Sequence, residues 1–239
     1  MQRSLIARSN LTSGSNRSLR SLGRAKARPL TKRYAHKEEA MSRPDIALIY
    51  EEGIPESLFQ GFQESLSNEK ITVSVESRPP SGPQACLEWF IFPIVAAYIS
   101  KPYFEAFFGE MGKDHYAILK RKLSETTTKV MSQPRIEPVL FGTSGKISKE
   151  NPYTLAFSIY AEANDNCRFK LLLPKPAEGN DYSEIIEIFL EFLSEYHSGL
   201  KELGEIGFDT NKKPTGGLIF VHVNPVTKSL QWLDHMKSA

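Results

Sequence analysis

The stretch that decides the fold is residues 45–77, which read DIALIYEEGIPESLFQGFQESLSNEKITVSVES. Residues 45–50 are a short apolar run typical of a buried strand, and residues 71–77 alternate between apolar and polar side chains. Between them, residues 55–68 carry Leu and Phe at helical spacing. The order strand, helix, strand predicts a β-α-β unit with parallel strands and a right-handed connection.

Two apolar segments follow this unit. Residues 86–99 are apolar on every side, and residues 103–123 repeat apolar side chains every three or four positions. The first segment has about 14 residues, fewer than the roughly 20 that cross a bilayer. We therefore predict a pair of apolar helices in the core. A membrane-inserting hairpin and an exposed face for a protein partner are the alternatives.

The polar, Thr-rich residues 125–133 are interpreted as a linker into a second half. That half contains five strand patterns and one long helical pattern: strands at 135–141, 153–161, 167–173, 217–223 and 229–233, and a helix at 182–203. We expect an α/β to α+β protein in which a β-α-β unit with an apolar helical pair precedes a mainly antiparallel β-β-β-α-β-β half. The predicted boundaries are 43–131 and 132–239, with one continuous domain as the alternative.

The charge of the chain is uneven. Residues 1–37 hold ten Lys and Arg and neither Asp nor Glu. The other residues keep 20 of the 30 basic side chains against all 28 acidic ones, a net charge of −8. We predict a disordered basic leader over residues 1–42, because it has too few apolar residues to offset the entropy of ordering. The acidic body is not expected to bind nucleic acid.

The leader has three interpretations. An Arg- and Ser-rich composition without acids is typical of a mitochondrial transit peptide, and Lys32-Arg33-Tyr34-Ala35 resembles a cleavage site. Alternatively, translation begins at Met41, or the leader is a basic arm. The chain has only two cysteines, which fits a reducing compartment. We expect a cytoplasmic protein, or a mitochondrial matrix protein if residues 1–34 are a transit peptide.

Familiar cofactor and metal motifs are missing from the sequence. Residues 142–146, Gly-Thr-Ser-Gly-Lys, have two residues between the glycines where a phosphate-binding loop needs four. No dinucleotide-binding, metalloprotease or nucleophile-elbow motif occurs. The five histidines and two cysteines lack the spacing of metal ligands. We therefore expect neither a cofactor nor a metal.

One group of ionisable residues suggests acid/base chemistry. His115 lies on the apolar stripe of the second helical pattern, beside Lys113. The carboxylates that could pair with it are Glu51 and Glu52 at the end of the first strand, where ligands bind in open α/β sheets, and Glu88 in the apolar run. Lys113 would stabilise negative charge. The competing interpretation is a solvated helix surface with His115 hydrogen-bonded in the core.

A second group of residues suggests a contact surface. The aromatic-rich segment between residues 86 and 108 includes five candidate binding residues: Trp89, Phe90, Phe92, Tyr103 and Phe104. Aromatic side chains are enriched at protein interfaces. Because no catalytic motif is present, we expect an intracellular, non-catalytic interaction or regulatory protein that binds a protein partner or forms a homodimer. Contact with a membrane is less favoured than contact with a protein. The alternative function is an acid/base enzyme with a His–carboxylate site.

Overall fold

The computed structural model describes residues 43–80, 90–107, 112–133 and 151–234. In chain order these residues form seven strands and four α-helices: β1 Ile46–Glu51, α1 Phe62–Leu66, β2 Val73–Arg78, β3 Val95–Ile99, α2 Lys101–Phe107, α3 Gly112–Met131, β4 Tyr153–Glu162, β5 Arg168–Pro174, α4 Tyr182–His197, β6 Leu218–Asn224 and β7 Ser229–Trp232. Short 3-10 turns cover Glu56–Phe59, Leu203–Ile206 and Thr215–Gly217.

All described strands belong to one mixed sheet with the order β2-β1-β3-β4-β5-β6-β7. Three neighbouring pairs are parallel (β1–β2, β3–β4 and β5–β6), and three are antiparallel (β1–β3, β4–β5 and β6–β7). The mixed sheet with its helices confirms the α/β to α+β fold class. Because β3 pairs with β4, the sheet runs through both predicted halves of the chain.

The four described helices pack on one face of the sheet, here called the helical face. Their buried side chains form a single apolar cluster with alternate residues of the strands. From the central strands these include Val95, Ala97, Ile99, Phe157, Ile159, Phe169, Leu171, Ile219 and Val221. The residues between them point to the opposite face, here called the open face.

Local sequence explains the best-defined elements of the second half. The carboxylate of Asp181 caps α4 by accepting hydrogen bonds from the backbone N–H groups of Ser183 and Glu184, at 2.9 and 3.1 Å. Asp165 and Asn166 both have a φ of 57°, which these residue types tolerate better than most. They close the predicted hairpin between β4 and β5.

The predicted helix at residues 86–99 is wrong where the structure describes it. Residues 95–99 form β3, which lies between β1 and β4 near the middle of the sheet. A central strand is buried on both faces, so its sequence is apolar on every side, as that of a buried helix would be. Residues 86–89 lie outside the described part of the chain.

The predicted linker at residues 125–133 is also wrong, because α3 continues to Met131. Its polar residues are accommodated within the helix. The hydroxyls of Ser124 and Ser132 donate to the carbonyls of Lys120 and Thr128, at 2.8 and 2.7 Å. Thr126 and Thr127 are buried. The helical pattern at 103–123 is likewise divided between α2 and α3.

Several predictions fall outside the described residues. They are the disordered leader with its targeting interpretations, and the strand at 135–141. Within the described ranges, none of the helices combines the length and apolar character needed to cross a membrane.

Candidate functional site on the open face

Four side chains form a row across neighbouring strands on the open face of the sheet. The strand register places Tyr98 of β3 beside Tyr160 of β4, Tyr160 beside Lys170 of β5, and Lys170 beside Phe220 of β6. Each of these residues alternates with members of the helical-face cluster, so all four point away from the helices. The row is therefore a band of three aromatic rings and one cation.

Residues 90–93, here called the crossing segment, run over this row from strand to strand. The ring of Phe90 meets Phe220 edge-on, with the centroids 5.4 Å apart. The carbonyl of Ile91 accepts a hydrogen bond of 2.9 Å from the ammonium of Lys170. Phe92 then stacks on Tyr160, with the centroids 5.8 Å apart. Consecutive residues thus contact β6, β5 and β4 in turn.

Arg78 binds the carboxyl-terminal end of the crossing segment. Its Nη2 donates to the carbonyl of Pro93 at 3.1 Å and to the carboxylate of Glu51 at 2.8 Å. Its guanidinium also lies over the ring of Phe92, 4.5 Å from the centroid. Arg78 and Glu51 are the last residues of the parallel strands β2 and β1, where their side chains are directly opposite. This ion pair is partly buried.

Lys170 is buried among aromatic side chains. It is 1% exposed, and its ammonium lies 5.7 Å from the ring centroid of Tyr160 and 5.9 Å from that of Phe220. Burial raises the pKa of Tyr160, although Arg168 and Arg78 act in the opposite direction, so the phenol stays protonated. In contrast to these buried residues, Phe90 and Phe92 are only half-buried. The crossing segment therefore presents aromatic surface to solvent.

A second polar group lies where β4 ends. The phenol of Tyr98 donates to one oxygen of the Glu162 carboxylate, and the backbone N–H of Lys101 donates to the other at 2.8 Å. Burial favours a higher pKa for Glu162, but the hydrogen bonds from Tyr98 and Lys101 outweigh it and the pKa is lowered. Because Lys101 is the first residue of α2, this carboxylate anchors the start of that helix.

His115, the central residue of the predicted acid/base site, is hydrogen-bonded in the core. Its Nε2 lies 2.7 Å from the carbonyl of Leu66, which can only accept, so Nε2 carries the proton. Nδ1 then accepts from the hydroxyl of Tyr103 at 3.2 Å. Both ring nitrogens are therefore engaged. Glu51 lies on the open face, where it pairs with Arg78. The structure therefore does not bring Glu51 and His115 together.

The other predicted acid/base residues are dispersed. Glu52 is an exposed residue of the turn after β1, where its backbone N–H donates to the carbonyl of Arg78 at 2.8 Å. Lys113 lies in the first turn of α3, and the structure describes its backbone but not its side chain. Glu88 lies outside the described residues.

The predicted contact residues separate into two groups. Phe90 and Phe92 belong to the crossing segment on the open face. Tyr103 and Phe104 of α2 are buried on the helical face, with exposures of 1% and 0%, so no partner can reach them in this conformation. Phe104 stacks on the imidazole of His197, with the centroids 4.6 Å apart. Trp89 lies outside the described part of the chain.

The sequence interpretation missed Arg78, Tyr160, Lys170 and Phe220, which support the crossing segment. One feature of the sequence points to Lys170: it is the only charged side chain in the otherwise apolar residues 169–173. A buried cation there requires a hydrogen-bond acceptor nearby. Arg78 and Tyr160 carry no comparable feature, because their roles depend on which strands become neighbours.

The groups around the crossing segment are cations and aromatic rings. Among the described residues, no group of three His, Cys, Asp or Glu side chains is placed to hold a metal. The cations at the crossing segment donate to backbone carbonyls, and the surface around them is aromatic. Comparison with known proteins gives no further indication: no family model, no curated protein and no solved structure matches this chain.

Proposed function

We propose that this protein is a non-catalytic interaction protein that binds a protein partner through the crossing segment. The observation that supports the proposal is the half-burial of Phe90 and Phe92 on the face opposite the helices. Partly accessible aromatic rings on an immobilised backbone are typical of binding surfaces, because they offer contact area at a low cost in conformational entropy.

The alternative of an acid/base enzyme receives less support. A general base needs a nitrogen or carboxylate that can take a proton from a bound substrate. Both nitrogens of His115 already bond to Tyr103 and Leu66 within the core. We further propose a cytoplasmic location, with the mitochondrial matrix as the alternative, on the basis of the two cysteines and the leader composition.

The proposal is tested by comparing two double variants of the full chain. Phe90→Ala with Phe92→Ala removes the rings of the crossing segment. Leu200→Ala with Val226→Ala removes apolar side chains that are 77% and 87% exposed elsewhere, and serves as the control. Tagged wild-type protein is used to capture partners from cells, and a captured protein is purified so that its Kd can be measured directly.

We expect the first double variant to weaken binding by about 10- to 100-fold, as the loss of interface aromatics does elsewhere. The control should bind as the wild type does, and both variants should keep the wild-type circular dichroism spectrum. If the partner is a second copy of the chain, the loss will appear as a change from dimer to monomer in solution mass. Equal affinity of the two variants would reject the crossing segment as the contact surface.

A further inference from the structure

Lys170 is a cation buried within an apolar strand. It lies within an apolar stretch of β5, and its side chain is almost completely shielded from water at 1% exposure. Transferring an ammonium from water into such a site is unfavourable, and replacing a buried ionic group with an apolar one is often neutral or stabilising. A buried ammonium therefore needs hydrogen-bond acceptors, and the carbonyl of Ile91 is one of them.

The described contacts of Lys170 include the crossing segment and the rings beneath it. The ammonium donates to the carbonyl of Ile91, midway between Phe90 and Phe92. It also lies within 6 Å of the two rings on which those side chains rest, Phe220 and Tyr160. The ammonium of Lys170 thus contacts the backbone of the crossing segment and the rings of Tyr160 and Phe220, against which Phe92 and Phe90 pack.

Arg78 likewise donates a hydrogen bond to the backbone, at the carboxyl-terminal end of the crossing segment. It donates to the carbonyl of Pro93 and lies over the ring of Phe92. Regular strand pairing begins only at Ile94, whose N–H bonds to the carbonyl of Leu155 and whose carbonyl bonds to the N–H of Glu51. The conformation of residues 90–93 therefore depends on contacts outside the regular ladder, among them the hydrogen bonds donated by the two cations.

We infer that Lys170 is a positioning residue for the contact surface, acting with Arg78 to hold the backbone of the crossing segment so that Phe90 and Phe92 are oriented for the partner. This inference rests on the proposed function and identifies the residues that preorganise the site. Preorganisation raises affinity because less conformational freedom is lost when the partner binds. Lys170 then controls affinity although, at 1% exposure, it cannot contact a partner itself.

The test is Lys170→Met in the full chain, since methionine has a similar length but no donor. Leu172→Met is the matched control, because Leu172 is also buried on the open face of β5, at 3% exposure. The first readout is amide hydrogen exchange at residues 90–92, compared with exchange in α4 of the same sample. The second is the Kd for the partner identified with wild-type protein.

We expect Lys170→Met to accelerate exchange at residues 90–92 by about tenfold, as the loss of a hydrogen bond would, while α4 keeps its protection. The control should exchange as the wild type does. If Lys170 only stabilised the whole fold, exchange would accelerate equally in α4 and in the crossing segment. The ratio of the two exchange rates therefore distinguishes general stabilisation from positioning. Unchanged exchange at residues 90–92 in folded Lys170→Met would overturn the inference.

A second variant keeps the test decisive if Lys170→Met fails to fold. Arg78→Met removes the donor to Pro93 from a side chain that is 23% exposed. It should likewise accelerate exchange at residues 90–92, and unchanged exchange would overturn the inference. Accelerated exchange with an unaltered partner Kd, in either variant, would support positioning but reject the proposed contact role of the crossing segment.

Discussion

The two faces of the sheet bury their surfaces by different means. On the helical face, apolar strand residues meet four described helices, and residues such as Phe157, Phe169 and Leu171 are completely inaccessible. On the open face, a four-residue segment outside the strand pairing lies across the strands and is held by hydrogen bonds from Lys170 and Arg78. Apolar packing is non-directional, whereas a donated hydrogen bond fixes one backbone atom.

This difference suggests that the two faces of the sheet have different roles. The helical face supplies most of the apolar burial, which is the main favourable contribution to folding. The open face contributes less burial but holds aromatic side chains in defined orientations near solvent. A change on the helical face should therefore act mainly on stability, and a change at the crossing segment mainly on recognition.

The largest effect is expected for Phe169→Ala on the helical face. The ring of Phe169 is fully buried and lies edge-on to Phe192 and Tyr196, at centroid distances of 5.6 and 5.3 Å. Its truncation should lower the free energy of unfolding by about 3–5 kcal/mol in urea denaturation. Phe90→Ala, on the open face, should cost about 1–2 kcal/mol because only part of that ring leaves water on folding. Equal losses would make the crossing segment part of the core and remove the distinction between the faces.

The sequence predicts the strands of this sheet where alternation or a turn signal marks them. The alternation of residues 71–77 identifies β2, and the hairpin of β4 and β5 follows from turn-forming residues between two apolar runs. The sequence does not predict β3. This strand places apolar side chains on both faces of the sheet and therefore lacks the period of two. Five consecutive apolar residues, four of them buried, are compatible with either a helix or a strand, and only the pairing partners decide.

The candidate site is harder to predict than the fold because it depends on strand register. The aromatic surroundings of Phe90 and Phe92 in the sequence suggest them as contact residues. Their supports Tyr160, Lys170 and Phe220 are separated from them along the chain and become neighbours only when β4, β5 and β6 align. His115 shows the reverse situation, since its sequence context suggests chemistry whereas its contacts are those of a core residue.

A smaller effect on stability is expected from a double-mutant cycle at His115 and Tyr103. His115→Ala deprives the carbonyl of Leu66 and the hydroxyl of Tyr103 of their partner, and should cost about 2–4 kcal/mol. Tyr103→Phe alone should cost about 1 kcal/mol. In the His115→Ala background Tyr103→Phe should cost less, because the hydroxyl has already lost its acceptor. The free energy of unfolding of the four proteins measures this coupling, and additive losses would contradict the hydrogen bond.

The smallest effect is expected from the protonation of two histidines, one on each face of the sheet. Burial lowers the pKa of His197, with Lys101 acting in the same direction and the carboxylates of Glu105 and Glu162 opposing it. On the open face, burial also lowers the pKa of His222, whose ring lies 5.7 Å from that of Tyr153. Nδ1 of His197 is buried and, within the described part of the chain, has no hydrogen-bond partner, so a proton added there would lack an acceptor.

Because both pKa values are lower in the folded protein than in the unfolded chain, the unfolded state binds more protons once the pH falls below about 6.5. These two histidines should therefore leave stability unchanged between about pH 7 and 8 and lower it as the pH falls toward 5, which urea denaturation at several pH values would measure. His197→Gln should reduce that decline while keeping a donor for the carbonyl of Glu162, which Nε2 bonds at 3.1 Å. His222→Gln should reduce the decline independently, since the two residues lie on opposite faces, and the double variant should show the sum of both reductions. A decline that is unchanged in His197→Gln would mean that water reaches this imidazole, and that the helical face is less tightly closed than its apolar core implies.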